Sequence, residues 1–258
     1  MQYGILIDTT KCIGCYACEQ ACAERWGFPT GSETHELSST QNTAVKTIDD
    51  MYLPRMCMHC QNPTCASVCP VGAFEKTPEG PVVYDADKCI GCRYCMQACP
   101  FDVPRYQWSS LNPRVTKCDM CRERILAGQK PACVESCPAE ARIFGPLPEI
   151  IQEAKKRVAD QPDVYYSKIY GVNEAGGTSI IYLAAKPFEK LGLRTNLPNG
   201  ALPDLTWAVM EKIPNYVFWG GTLLGGIWWI TNRRKEVQAY ERKLREMEKR
   251  QPSDNHDQ

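Results

Sequence analysis

Histidine is scarce: 258 residues hold three, His35, His59 and His256. None lies in the long uncharged stretch near the C-terminus, so the chain is not expected to ligate a haem there. An excess of one charge is missing too. Thirty Lys and Arg balance thirty Asp and Glu, which leaves no global basic field for a nucleic acid. The first ten residues have neither a basic n-region nor an apolar h-region, so no signal peptide is expected. The chain shows no Gly-rich phosphate loop, no nucleophile beside a base and no recognisable pair of carboxylates. Those absences point away from bond-making chemistry, and no substrate site is expected. Core-forming residues are also thin. Apolar residues make up 43% of the chain, but 16 of them are cysteines. Without these the share is about 37%, so a bound inorganic group is expected to replace part of the core.

Cysteine is what the chain has in excess, and it falls in four groups of four, all before residue 138. The third group, Cys89, Cys92, Cys95 and Cys99 followed by Pro100, has the spacing C-x2-C-x2-C-x3-C-P of bacterial ferredoxins that hold [4Fe–4S] clusters. Three closely spaced thiolates can wrap three corners of a cube, and the fourth is expected to start a helix that points to another cluster. Gly91 leaves room for backbone N–H groups to approach sulfur, and Pro100 fixes the exit of the chain. The first group, Cys12, Cys15, Cys18 and Cys22, has the same spacing but ends on Ala23. The second, Cys57, Cys60, Cys65 and Cys69, widens the middle gap, and the fourth, Cys118, Cys121, Cys133 and Cys137, widens it further. A disulfide framework fits poorly, because C-x2-C-x2-C packs thiols too tightly and recurs. Zinc could suit the fourth group alone, but not the triple runs. Four [4Fe–4S] clusters are therefore expected, with no three-iron cluster.

The second and third groups are close enough in sequence to form one ferredoxin unit. Exchange of the fourth ligand then gives Cys57, Cys60, Cys65 and Cys99 one cluster, and Cys89, Cys92, Cys95 and Cys69 its partner. By elimination, Cys12, Cys15, Cys18 and Cys137 hold a third, and Cys118, Cys121, Cys133 and Cys22 a fourth. His59 is a candidate for tuning its cluster by hydrogen bonding. Glu19, Asp85, Asp87, Asp119, Glu123 and Glu140 are expected on solvated faces.

Residues 3–10 and 81–84 read as short strands, and 30–50 as a polar loop. Pro148 to Asp160 reads as an amphipathic helix with Ile150, Ile151, Ala154 and Val158 on its apolar face. Gly171 to Ala184 reads as a Gly-rich turn and a strand. Ile213 to Asn232 is uncharged, and twenty helical residues rise about 30 Å, the thickness of a bilayer core. Tyr216, Trp219, Trp228 and Trp229 lie toward its ends, and Gly221-x-x-x-Gly225 has helix-packing spacing. The expected fold is α+β: two interlocked bacterial-ferredoxin-like units with four clusters, plus a C-terminal transmembrane helix. The expected divisions are a four-cluster domain over 1–145, a helix, turn and linker over 146–206, a span over 207–232 and a charged cytoplasmic tail over 233–258.

The stretches CMHCQNPTCASVCPVGA, CIGCRYCMQACPFDVPRY and KCDMCRERILAGQKPACVESCPAEARIFG resemble the iron–sulfur (beta) subunits of membrane-bound respiratory oxidoreductases. Formate dehydrogenase beta subunits and the four-cluster subunit of membrane-bound nickel–iron hydrogenases are the closest in pattern. GVNEAGGTSIIYL and the C-terminal stretch look like those two as well. The resemblance implies a wire of four clusters between a catalytic subunit and an integral membrane quinone or cytochrome b subunit at a lipid bilayer. It implies the same pairing of groups one with four and two with three. GQKPACVESCP looks more like the molybdopterin-enzyme type, formate dehydrogenase included, and CPVGAFEK equally like the hydrogenase type. A molybdopterin enzyme is the favoured catalytic partner and a hydrogenase the alternative, with a free-standing tethered polyferredoxin as runner-up. Arg233, Arg234, Lys235, Arg242, Lys243 and Arg245 outweigh Lys212, which puts the tail in the cytoplasm and the clusters on the periplasmic face of the inner membrane. The resemblance implies export on a partner's twin-arginine signal.

Overall fold

The computed structural model describes residues 1–111 and 113–250. His256 and the end of the expected tail lie outside the described residues. In chain order the elements begin β1 (Tyr3–Asp8), α1 (Ala17–Trp26), β2 (Ala44–Ile48), β3 (Met51–Arg55), α2 (Thr64–Ser67), β4 (Phe74–Lys76) and β5 (Val82–Tyr84). They continue α3 (Tyr94–Ala98), β6 (Arg105–Tyr106), β7 (Val115–Thr116), α4 (Arg122–Leu126), α5 (Ala132–Glu135), β8 (Arg142–Pro146) and α6 (Leu147–Asp160). The last are β9 (Ile180–Leu183), α7 (Leu202–Met210) and α8 (Ile213–Arg250).

The strand expected at 3–10 forms the middle of a sheet ordered β8-β1-β9, antiparallel to β8 and parallel to β9. Both faces of β1 are covered, which is why Ile5, Leu6 and Ile7 follow one another without alternation. Strand geometry sends neighbours to opposite faces. Leu6, Ile181 and Leu183 pack with Leu147, Ile150 and Ala154 of α6. Ile5, Ile7, Ile180 and Tyr182 share a core with Cys18, Cys57, Cys118 and Cys133. The sheet thus stands between one amphipathic helix and the cysteine-rich body. Asp8, at the end of β1, is almost wholly buried. It accepts hydrogen bonds from Thr10 Oγ1 (2.6 Å), Tyr165 OH (2.8 Å) and Arg157 Nη1 (3.0 Å), which tie the strand to α6 and the segment after it.

The polar stretch 30–50 is not all loop. Its end folds into the β2–β3 hairpin, whose turn puts Asp49 at φ 53°. Small antiparallel pairs β4–β5 and β6–β7 flank the second and third cysteine groups.

Residues Met1–Leu205 form one compact unit, and a second begins at Thr206. The second contains α8, which carries the uncharged run of Ile213–Asn232. The expected transmembrane helix is not recovered: among the described residues no helix is long and apolar enough to cross a membrane. Pro214, Asn215, Thr222, Thr231, Asn232, four glycines and three tryptophans dilute the run, leaving seven residues of the Ile, Leu, Val and Phe type. Its large side chains, from Tyr216 to Ile230, are nevertheless exposed.

Candidate metal centre

Each of the four C-x2-C turns places a left-handed residue just before its second cysteine. Gly14 (φ 67°), His59 (φ 49°), Gly91 (φ 71°) and Met120 (φ 57°) are equivalent positions. That conformation turns the backbone N–H back on the preceding thiol. Met120 N donates to Cys118 Sγ at 3.2 Å, and Gly91 N to Cys89 Sγ at 3.4 Å. The non-glycines there carry a strain of about 1–2 kcal/mol. Gly14 has a second reason to be glycine: a Cβ at that position would lie 2.3 Å from the Tyr52 ring. Gly14→Ala is therefore expected to lower Tm by several degrees more than Gly27→Ala, which has a similar φ but no atom within 4 Å of its Cβ. Equal shifts in paired thermal melts would contradict this.

The fourth cysteine does not start a helix, contrary to expectation. Cys69, Cys99 and Cys137 follow the short helices α2, α3 and α5, each of which carries or adjoins the third cysteine. Proline after each fourth cysteine stops the helix. The chain then turns, with the third following residue left-handed: Gly72, Asp102 and Glu140 each donate to the cysteine carbonyl at 3.3 Å. In the first group Ala23 stands in place of proline, and α1 runs on through Cys22 to Trp26.

The fold gathers the thiols across groups. Cys12, Cys15, Cys18 and Cys137 line one cavity, and Cys57, Cys60, Cys65 and Cys99 line another. Cys95 faces Cys89, Cys92 and Cys69, while Cys118 faces Cys22, Cys121 and Cys133. The bidentate ion pair of Arg25 with Asp119 (2.7 and 3.0 Å) clamps α1 of the first group to the loop of the fourth. Neighbouring quartets are close enough to feel each other: Cys18 faces Cys133, and Cys65 faces Cys95. Of the sixteen cysteines, Cys15 and Cys92 are exposed, and they belong to the two outer quartets. Among the described residues no three His, Cys, Asp or Glu side chains converge on a single metal ion. The thiols surround a volume, and all-thiol donors aided by backbone N–H groups suit an iron–sulfur cube.

Burial raises the thiol pKa values. Cys18, Cys95 and Cys121 are pushed up to about 11, and Cys22 and Cys65 to about 12. A thiol must lose its proton to ligate iron, so loading releases protons. An ordinary thiol is largely ionised by about pH 9, but these are not. Reconstitution of cluster-free protein, followed by absorbance near ~400 nm, is expected to improve steadily from pH 7 to pH 9. A plateau by pH 8 would contradict the raised values.

His59 is fully buried, and burial holds its pKa well below the usual imidazole range. Its Nδ1 accepts the Val82 amide at 2.9 Å, which leaves the proton on Nε2, an atom with no partner among the described residues. Two acidic residues depart from the expected solvated faces. Glu19 is buried and accepts from the Val45 amide and from His35 at 2.9 Å, so α1 is pinned to β2. Asp119 is half-buried in its pair with Arg25. Asp85, Asp87, Glu123 and Glu140 are exposed. Sequence reasoning missed Lys117 and Arg142, both buried against thiols. Their contacts come from distant segments, and neither residue type carries a spacing signal. The Thr43 hydroxyl, otherwise unpartnered, faces Cys22.

Two family models described as 4Fe–4S dicluster domain match residues 48–147 and 11–73, and between them cover every cysteine. A protein of Nitratidesulfovibrio vulgaris strain Hildenborough is 38% identical over 256 residues, covering 93% of this chain and 69% of its own. The hydrogenase-2 operon protein HybA of Escherichia coli O157:H7 is 37% identical over 267 residues, covering 86% of this chain and 80% of its own. The B subunit of the anaerobic dimethyl sulfoxide reductase of Escherichia coli K12 is 38% identical over 180 residues, covering 65% of this chain and 85% of its own.

Proposed function

Because this protein belongs to the 4Fe–4S dicluster family of iron–sulfur subunits from respiratory oxidoreductases, we propose that it relays electrons between a catalytic subunit and a membrane subunit. Its sixteen cysteines and two dicluster matches fit four [4Fe–4S] clusters. When bound, these groups supply one-electron redox chemistry over a wide range of potentials. The protein's own part is to ligate, insulate and aim. One cluster is assigned to each thiol quartet: Cys12, Cys15, Cys18 and Cys137; Cys22, Cys118, Cys121 and Cys133; Cys57, Cys60, Cys65 and Cys99; Cys69, Cys89, Cys92 and Cys95. Backbone N–H groups and buried cations stabilise the thiolates, and the sheet and α6 shield the row from water.

The observation that carries this reading is the row itself: Cys18 faces Cys133, Lys117 stands between Cys118 and the pair Cys57 and Cys65, and Cys65 faces Cys95, so the exposed Cys15 and Cys92 fall in the two outer quartets. The similarity to iron–sulfur subunits of oxidoreductase complexes supports a carrier role, with substrate chemistry on another subunit. The alignment with HybA reaches farther along the sequence than that with the dimethyl sulfoxide reductase subunit. That favours a hydrogenase as catalytic partner, with a molybdopterin enzyme of the dimethyl sulfoxide reductase kind second. Formate dehydrogenase, the favoured expectation from sequence, gains no specific support from these relatives.

The exposed uncharged stretch of α8 serves as the membrane attachment. It packs through Gly221 and Gly225 on helices of an integral quinone or cytochrome b subunit, where small residues permit close approach. Native purification from membranes tests the main reading. A hydrogenase-type large subunit should co-purify in equal proportion, whereas a brown protein isolated alone would favour a tethered polyferredoxin.

A further inference from the structure

Two buried cations lie where neighbouring quartets meet. Arg142 of β8 is 3% exposed. Its Nη2 donates to Cys18 Sγ and its Nη1 to Met56 Sδ, both at 3.4 Å, and the guanidinium also faces Cys133. It therefore touches the Cys12 quartet and the Cys118 quartet at once. No carboxylate stands among the groups it faces most closely. Lys117 is 5% exposed. Its Nζ donates to the Val82 carbonyl and to the Cys118 carbonyl at 2.9 Å, and it sits 5.9 Å from the Phe74 ring centroid. It faces Cys57 and Cys65 on one side and Cys118 on the other, the seam between the two ferredoxin-like units. The carboxylate it faces, Asp119, is already engaged by Arg25. Lys76 differs: it is held by the His59 and Gly80 carbonyls and faces Cys57 and Cys60, so it touches one quartet and not a junction.

A buried charge without a counter-ion is costly. The cost disappears if the counter-ion is a thiolate-ligated cube, which is anionic and gains charge on reduction. A fixed positive charge nearby favours the reduced form, and the low dielectric of the interior strengthens the effect. Building on the relay reading, we propose that Lys117 and Arg142 are the potential-setting charges at the two junctions of the Cys22–Cys118–Cys121–Cys133 quartet. Lys117 raises the potentials of that cluster and of the Cys57 cluster. Arg142 raises the potentials of that cluster and of the Cys12 cluster. No thiol of the Cys89 quartet is among the groups that either cation faces most closely, so the Cys89 cluster is expected to shift least.

The test is an EPR-monitored redox titration of the purified complex carrying Lys117→Gln or Arg142→Gln, with Lys117→Arg and Arg142→Lys as charge-preserving controls. In each neutral variant two of the four midpoint potentials are expected to fall. One component should fall in both variants, one in each alone, and the fourth should shift least. The controls should keep wild-type potentials. Unmoved potentials in a fully loaded neutral variant, four equal shifts, or controls that shift like the neutral variants would overturn the proposal. Should a neutral variant fail to load, its control decides: full loading at wild-type potentials supports the role of charge, and lost or lowered potentials overturn it. Iron content separates the two levels of inference. Wild-type protein without iron would remove the relay reading itself, whereas a full iron complement with unmoved potentials removes this proposal alone.

Discussion

Cys137→Ser is expected to abolish the EPR component that Cys15→Ser abolishes, and to spare the one that Cys121→Ser abolishes. Sequence proximity suggests the opposite, because Cys137 lies four residues after Cys133 and far from Cys15. Three observations support the crossing. Cys137 lines a cavity with Cys12, Cys15 and Cys18. Pro138 stops the helix and turns the chain away after Cys137. Arg25 and Asp119 hold the first and fourth groups together. Serine is a poor substitute because its hydroxyl stays protonated where a thiolate would form, so the affected cluster should be lost or degraded in most molecules. Iron should drop by about a quarter in each variant. Loss of the same component in Cys137→Ser and Cys121→Ser would refute the crossed pairing. The second unit makes the parallel case, with Cys99 expected to act with Cys57 rather than with Cys89.

The double variant Leu223→Lys, Ile227→Lys is expected to move the protein from the membrane to the soluble fraction while its four clusters remain. Both residues are exposed in the uncharged run of α8. Two lysines on this face would have to lose their hydration for it to stay against apolar surface, which strongly favours release. The cluster unit, Met1–Leu205, is a separate compact body, so its iron content should be unaffected. Sedimentation followed by iron analysis reads both outcomes. Full retention at the membrane would show that α8 is not the attachment, and loss of iron would show that the two units are not independent.

The chemistry of this protein was more legible than its packing. The C-x2-C and x3 spacings pointed to four [4Fe–4S] clusters because a cube dictates them locally, through turns of three or four residues, and the two dicluster matches cover all sixteen thiols. The helix at α6 was legible because one buried face keeps the helical period, and the strand at β1 because both faces are buried and its apolar residues run together. The β2–β3 hairpin was hidden by composition: Lys46 and Thr47 face outward, and its turn is Asp49–Asp50 rather than an Asp-Gly pair. Glu19 read as a surface residue because its partners, His35 and Val45 of β2, come from a polar stretch whose path the sequence does not reveal. Lys117 and Arg142 were invisible for the same reason. A buried cation becomes recognisable when the anion beside it is known, and that anion is assembled from distant segments. The uncharged run of Ile213–Asn232 reads as a span because it is free of charge, but glycine, asparagine and tryptophan leave it short of aliphatic surface, and no helix among the described residues is long and apolar enough to cross a membrane.

Iron and acid-labile sulfide analysis of the natively purified protein, alongside zinc, tests the central reading most directly. About sixteen iron atoms and as many sulfides per chain are predicted, with zinc at background. Colourless protein with about four zinc ions and no sulfide would contradict it.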